Sequence, residues 1–512
     1  MGAVGRQDVE RSVATPERAG LRDRLVALGL LRAGLRLLGL ALALPIGCGD
    51  EPAVNSGGRP ESTTGEQTSA PGDGASADDS ASPGTMPAAG ETPATAAAPS
   101  VRDEPLPPGR WRLAPEQDDG LTDEQRREME ELAAIGYADG VQAGRATVGV
   151  TIHDRARVAD GVNLYVSGHA AEARLVDMDG RPLHRWALPF SRAFPDRQID
   201  DRIANKHFWR RVALDDQGGL IAIHDGMGMV RIDKDSTRLW ALPEPVHHDL
   251  EVLADGTILT LVRRPQIVPR WDAERPLLLG SVATVSADGA ITDELPLLEA
   301  FEGSEFADLF RGSVATHHEL ADRWAQDRKG VTRPWGDIFH DNTLERLDGR
   351  HAELSPVFAE GNLLISFRNL DLLAIIDPSS RAVVWAAAGR WRQQHQPTLL
   401  DDGAMLVFSN FDGPGRSAVI EFDPLTGEEL WDYAPSERGV FFSSALGTCQ
   451  RLPGGNTLIT ESHAGRAFEV TRDGDIVWEF LSPHRAGPDG AYVANLFEVV
   501  RMPRSEVEGW LR

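Results

Sequence analysis

A two-part unit recurs six times between Thr147 and Arg501, and it restricts the fold more than any other feature of the chain. Its first part is a Gly turn running into a hydrophobic strand: Asp160-Gly161-Val162, Gly218-Gly219-Leu220, Asp255-Gly256-Thr257, Glu360-Gly361-Asn362, Asp402-Gly403-Ala404 and Gly454-Gly455-Asn456. Its second part is a strand, an acidic or Gly turn, and a strand that usually carries Trp. Examples are Val176-Asp177 to Trp186, Ile232-Asp233 to Trp240, Ile376-Asp377 to Trp385, Phe422-Asp423 to Trp431 and Val470-Thr471 to Trp478. The third unit, Val285 to Glu294, lacks the Trp. One four-stranded blade per repeat, at intervals of roughly 40 to 60 residues, predicts an all-β chain built as a six-bladed β-propeller over 147–505. A β-sandwich has hairpins too, but it would not renew the same two-part unit six times. The longest interval predicts a partly helical insertion at about 298–335 between the third and fourth blades.

Ahead of the repeats the composition changes. All 12 Trp residues lie at Trp111 or later. Residues 1–48 read as a sorting segment: recurrent Arg through Arg36, then an apolar run from Leu37 to Gly47 that is too short to span a bilayer, then Cys48. Cys48 directly after Ile46-Gly47 resembles a bacterial lipobox. The expectation is cleavage before Cys48, acylation of that residue, and an exported protein of the periplasm or cell envelope held to the membrane only by that anchor. An ordinary signal peptide is the other reading. Residues 49–110, rich in Ser, Thr, Ala, Gly, Pro and acid, cannot bury enough apolar surface to offset ordering entropy and are expected to form a disordered tether. Within 111–146, Thr122-Asp123-Glu124-Gln125 is a capping box, which predicts a short helical lead-in. A formal charge of −26 argues against nucleic acid as a partner. Cys449 is expected to be a buried thiol.

Three short stretches ahead of Gly turns carry histidine: Val246-His247-His248-Asp249, Asp337-Ile338-Phe339-His340-Asp341-Asn342 and Gln393-Gln394-His395-Gln396. His248 lies five residues before Leu253, His395 five before Leu400 and His340 seven before Leu347. Side-chain alternation along a strand would place all three on the same relative face, with Asn342 beside His340. Arg368 follows the fourth Gly turn. Such a cluster could hold zinc through three imidazoles. It could equally bind and transfer an anionic group, with Arg368 and Asn342 on its oxygens and a neutral imidazole attacking. An Arg beside a dication would be repelled, which favours the anion and no metal. Thr316-His317-His318-Glu319 lacks the second His of a zinc-protease helix and is expected at the surface of the insertion. No Gly-rich phosphate loop is present, and no cofactor is expected.

Together with Leu364-Ile365-Ser366-Phe367-Arg368 and the run Gln450 to Leu458, these stretches resemble the bacterial arylsulfate sulfotransferases, phosphoadenosine-independent enzymes built on a six-bladed propeller. The resemblance covers about residues 150 to 500. It implies ping-pong transfer of a sulfuryl group from a phenolic sulfate ester to a phenol acceptor. By position it implies His395 as the nucleophile that becomes a sulfohistidine. His248, His340, Asn342 and Arg368, with His247 beside them, would hold sulfate oxygens and offset charge on the leaving phenolate. The chain differs from the better-known members in having one cysteine in the propeller, where they carry a disulfide near the site. The rival reading is a non-catalytic ligand-binding or scaffold propeller at the cell envelope.

Overall fold

Five of the six Gly turns join the first two strands of an antiparallel sheet, Asp160-Gly161 leads into the second strand of its sheet, and each acidic turn joins the third and fourth strands. Glycine is needed at the first kind because the backbone there is left-handed, as at Gly256, Gly361 and Gly403 with φ of +84°, +90° and +89°. In this computed structural model the described residues are 111–113, 147–199, 203–327, 336–435, 440–487 and 490–511. Six sheets of four or five strands form the blades of a six-bladed β-propeller. The expected lipidation site at Cys48, the tether and the helix after Thr122 lie outside the described residues.

The first strands of the blades touch one another around the central axis. In blades 1 to 6 they are Leu496–Met502, Arg211–Leu214, Val246–Val252, Asp341–Arg346, His395–Leu399 and Thr448–Arg451. Blade 1 therefore takes its inner strand from the C-terminal end of the propeller. Blade 6 takes an extra outer strand, Gly149–His153, from the N-terminal end. The ring is closed twice, at its inner and outer rims. A small three-stranded sheet pairs Trp111–Leu113 with Tyr492–Ala494, so the start of the 111–146 segment is a strand.

One hydrophobic cluster fills each blade interface. Ile223, Met229, Val262 and Ala283, for instance, join blades 2 and 3. The recurring Trp has a circumferential role. Its indole N–H donates to a turn of the next blade: Trp240 to Ala287 O (3.0 Å), Trp385 to Pro424 O (3.1 Å), Trp431 to Arg472 O (2.9 Å) and Trp478 to Met178 O (3.0 Å). Blade 3 has no Trp on its last strand, and there Arg381 of blade 4 reaches back to the Glu294 carbonyl and to Asp293.

Between blades 3 and 4 the chain forms two helices, Leu297–Glu302 and Ala307–Asp327. Phe301 and Phe310 stack at 4.7 Å and continue onto Phe339 and Phe367, the residues just before His340 and Arg368. His317 is buried in this insertion, contrary to the surface position expected for it, because its helix is packed against the propeller.

Candidate active site

Equivalent positions on successive blades build the site. The residue that closes the first turn of a blade donates its backbone N–H across that turn. These residues are Asp215, Leu253, Leu347 and Leu400, each with a bond of 2.8 Å. Five residues before them stand Arg210, His248, Asn342 and His395. Six residues beyond their acceptors Gly219, Thr257, Asn362 and Ala404 stand Asp225, Arg263, Arg368 and Asn410. Both sets fall at the same end of the channel, where inner strands begin and second strands finish. Counting back five and forward six would have found Arg210, Arg263, Asp225 and Asn410, which the search for histidines passed over.

Strand alternation does not bring the imidazoles together, as the parity count supposed. The register slips between His247 and Leu250, between Asp341 and Thr343, and between His395 and Thr398. His248, His340 and Gln396 have φ of 57°, 45° and 49°. A bulge in each of three inner strands turns these side chains, and alternation cannot be counted through a bulge. The result is a close cluster all the same. The rings of His248 and His340 lie 5.0 Å apart, edge to face. His395 is buried, and its Nδ1 lies 2.7 Å from Asn410 Oδ1. The Asn410 amide donates to the carbonyls of Ser443 and Leu446, which fixes its oxygen toward the imidazole. His395 therefore carries its proton on Nδ1 and a lone pair on Nε2.

Charge is arranged around these rings. Burial and the Arg368 guanidinium hold His395 well below the usual imidazole range, with Arg210 and His340 adding to the effect. Burial, His340 and Arg210 do the same for His248. His340 Nδ1 lies 2.6 Å from Asp337 Oδ2. Burial lowers the His340 pKa even so, against the pull of that carboxylate. Although burial opposes its ionisation, Asp337 is held below the ordinary carboxyl range by His340, Arg263 and Arg368. Arg368 Nη1 donates to Asn369 Oδ1 (2.9 Å), and Nη2 bonds Gln393 Oε1.

Two residues expected to touch substrate sit further back. Asn342 donates through Nδ2 to Gln394 O (2.9 Å), tying blade 4 to the strand that carries His395. His247 is fully buried behind His248. Below the cluster Arg211 closes the channel: it donates to Asp249 Oδ1 (2.7 Å) and Gln396 Oε1 (2.8 Å) and pairs with Glu498. A cavity of about 530 Å³ lies along the inner strands with Arg211, Asp249 and Glu345 in its walls, and none of the imidazoles line it. Cys449 is buried, and burial pushes its thiol up to about 12.

Among the described residues, His169, Glu172 and His484 alone have metal-ligand spacing. They suit a metal poorly. The two rings are stacked at 3.4 Å, so their in-plane lone pairs cannot converge, and Glu172 already pairs with Arg174 and Arg185.

The sequence model of the family described as Arylsulfotransferase (ASST) matches residues 212–483, more than half of the chain. The chain belongs to the arylsulfotransferase family. Its function is sulfotransfer in general, and the matched segment contains His247, His248, His340, Asn342, Arg368 and His395. No curated protein matches the chain. Similar solved structures include a protein of unknown function from Bacteroides caccae, at 11% identity and TM-score 0.41, covering 66% of this chain and 98% of that one. A catalytically inactive virginiamycin B lyase from Staphylococcus aureus with quinupristin has 11% identity and TM-score 0.35, covering 65% and 83%. The WD40 propeller domain of Doa1 has 12% identity and TM-score 0.36, covering 70% and 99%.

Proposed function

We propose that this arylsulfotransferase moves a sulfuryl group from a phenolic sulfate ester to a phenol through a sulfohistidine on His395. The observation that carries this reading is the fixed tautomer of His395. Asn410 holds Nδ1, so Nε2 presents a lone pair, and burial beside Arg368 keeps that imidazole neutral. A neutral imidazole can attack sulfur where an imidazolium cannot. Charge develops on the bridging oxygen as the phenolate leaves, and preorganised donors stabilise it better than water does. Arg368, Arg210 and Arg263 outnumber the ionised carboxylates Asp225 and Asp337 around the rings, and this excess of positive charge matches a sulfate monoester. Arg368 would hold the transferring sulfuryl oxygens; His340 gives its Nδ1 proton to Asp337, so it would donate to them through Nε2 only as an imidazolium. Asn342 acts through the backbone beside His395. A transient covalent intermediate makes the reaction ping-pong and needs no cofactor.

Export and acylation at Cys48 belong to the same reading. They would place the enzyme in the cell envelope, tethered through residues 49–110. The decisive experiment mixes the protein with a radiolabelled aryl sulfate alone and quenches it within one turnover. One labile label per chain is expected on wild type and none on His395→Ala. A label on another residue, or normal turnover by His395→Ala, rejects His395 as the nucleophile.

A further inference from the structure

Behind His248 lies a chain of buried groups that reaches into the protein. His247 Nδ1 and His248 Nδ1 are 2.9 Å apart, with the rings perpendicular, so one nitrogen donates and the other accepts. On the far side of His247, Nε2 faces Asp341 Oδ2 at 3.4 Å. Both atoms are buried, and neither has another hydrogen-bond partner among the described residues. A carboxylate oxygen facing an imidazole lone pair in a dry site is unfavourable unless a proton lies between them. Space for the Asp341 carboxyl comes from blade 3, where a Cβ on Gly280 would stand 2.4 Å from Oδ1.

We propose that Asp341 and His247 are positioning residues that pass a proton through His248 to and from the phenol oxygen. This rests on the sulfuryl-transfer reading above. In the first half-reaction the donor S–O bond breaks as an S–N bond forms at His395 Nε2. His248 gives its Nε2 proton to the departing phenolate oxygen and takes the Nδ1 proton of His247. His247 in turn takes the carboxyl proton of Asp341 at Nε2. The chain ends with Asp341 as a carboxylate, His247 protonated on Nε2 and His248 on Nδ1. The acceptor phenol reverses every transfer in the second half-reaction, so protons balance over the cycle.

The surroundings favour such a chain. Burial, with the charge of Asp337 nearby, pushes the Asp341 carboxyl up to about 7, while Arg263 pulls it down. Burial and Arg263 hold His247 down at about 3, against Asp225 and Asp337, and His340 also lowers it. His247 therefore stays neutral while either end of the chain holds the proton.

Two measurements test the chain. Nitrogen-15 spectra of histidine-labelled free enzyme report the His248 tautomer without any turnover. In wild type it should change from Nε2–H to Nδ1–H as pH rises through the Asp341 titration. In Asp341→Asn, whose amide can donate to His247 but release no proton, it should remain Nε2–H. A wild-type tautomer that does not change, or one that still changes in Asp341→Asn, overturns the proposal. The second measurement compares donors, because a poor leaving group needs its proton and a good one does not. Asp341→Asn should lose about a hundredfold in turnover of phenyl sulfate and less than about tenfold with 4-nitrophenyl sulfate. Gly280→Ala, which crowds the carboxyl from another blade, should show the same inequality. Equal losses on both donors mean a merely structural role and overturn the relay. Failure of wild type to transfer sulfuryl groups at all would instead refute the reaction, and the tautomer measurement keeps the two failures apart.

Discussion

His395 Nδ1 rests 2.7 Å from Asn410 Oδ1; His395 opens the first strand of its blade and Asn410 directly follows the second. The pair orients a nucleophile much as a carboxylate orients the histidine of a hydrolase triad, but with a neutral acceptor. Asn410→Ala should lower the rate of sulfuryl capture by about ten- to a hundredfold, the size of one lost buried hydrogen bond. The loss stays partial because Gln393 O, 3.2 Å from Nδ1, is a second acceptor. Asn410→Asp keeps the acceptor and adds charge. It should raise the His395 pKa and move the acid limb of the rate profile to higher pH, as stopped-flow capture rates across pH would show.

Arg368→Ala removes a charge while leaving His395 in place. A charge-assisted contact is worth about 1.5–3 kcal/mol, so turnover should fall by about ten- to a few hundred-fold without being abolished. The same change removes one cause of the depressed His395 pKa, so that pKa should rise modestly, burial being the larger cause. Steady-state kinetics with an aryl sulfate, together with its pH profile, decides both points. Complete loss would mean that Arg368 does more than hold charge.

The buried and half-buried imidazoles make stability depend on pH. His224, His247, His248, His340, His395 and His484 all have lowered pKa values in the folded chain. Below the ordinary value of 6.5 the unfolded chain binds protons that the folded chain refuses, so stability present above that value is lost as pH falls through it. Asp341, Glu345 and Glu251, whose pKa values are raised, act in the opposite sense but are fewer. The urea midpoint should therefore fall between about pH 7.5 and about pH 5.5. A midpoint that rises over that range contradicts the burial of these rings.

Mass spectrometry of protein purified from membranes tests the N-terminus. A mature chain beginning at Cys48 and carrying acyl mass is expected. Retention of residues 1–47, or an unmodified Cys48, excludes the anchor.

Much of the fold was legible from short-range chemistry. A Gly in a left-handed turn, a run of β-branched and aromatic residues and a Trp on the last strand are each written within a few neighbouring residues. Repeating them six times leaves a ring of blades as the solution that buries every sheet face. The Gly turns also provided a ruler, and that ruler placed His248 and His395 at equivalent positions and Arg368 opposite them. It did not provide the bulges. Left-handed backbone at His248, His340 and Gln396 follows from no residue preference in the sequence, so counting by alternation could not describe how these side chains are turned.

Closure and depth were decided only by the tertiary structure. Leu496–Met502 pairs with Val162–Ser167, and Gly149–His153 pairs with Ile476–Leu481, across more than three hundred residues of chain. No local pattern encodes a partner that distant. Nor could the sequence say that His247 lies behind His248 while its neighbour reaches the site, because the left-handed backbone and register slip at His248 override the simple alternation. The residue types at the site and their spacing were therefore set by the sequence alone. Which of them face one another, and which are buried, was set by six sheets packing around a common axis, since burial depends on surfaces contributed by other blades.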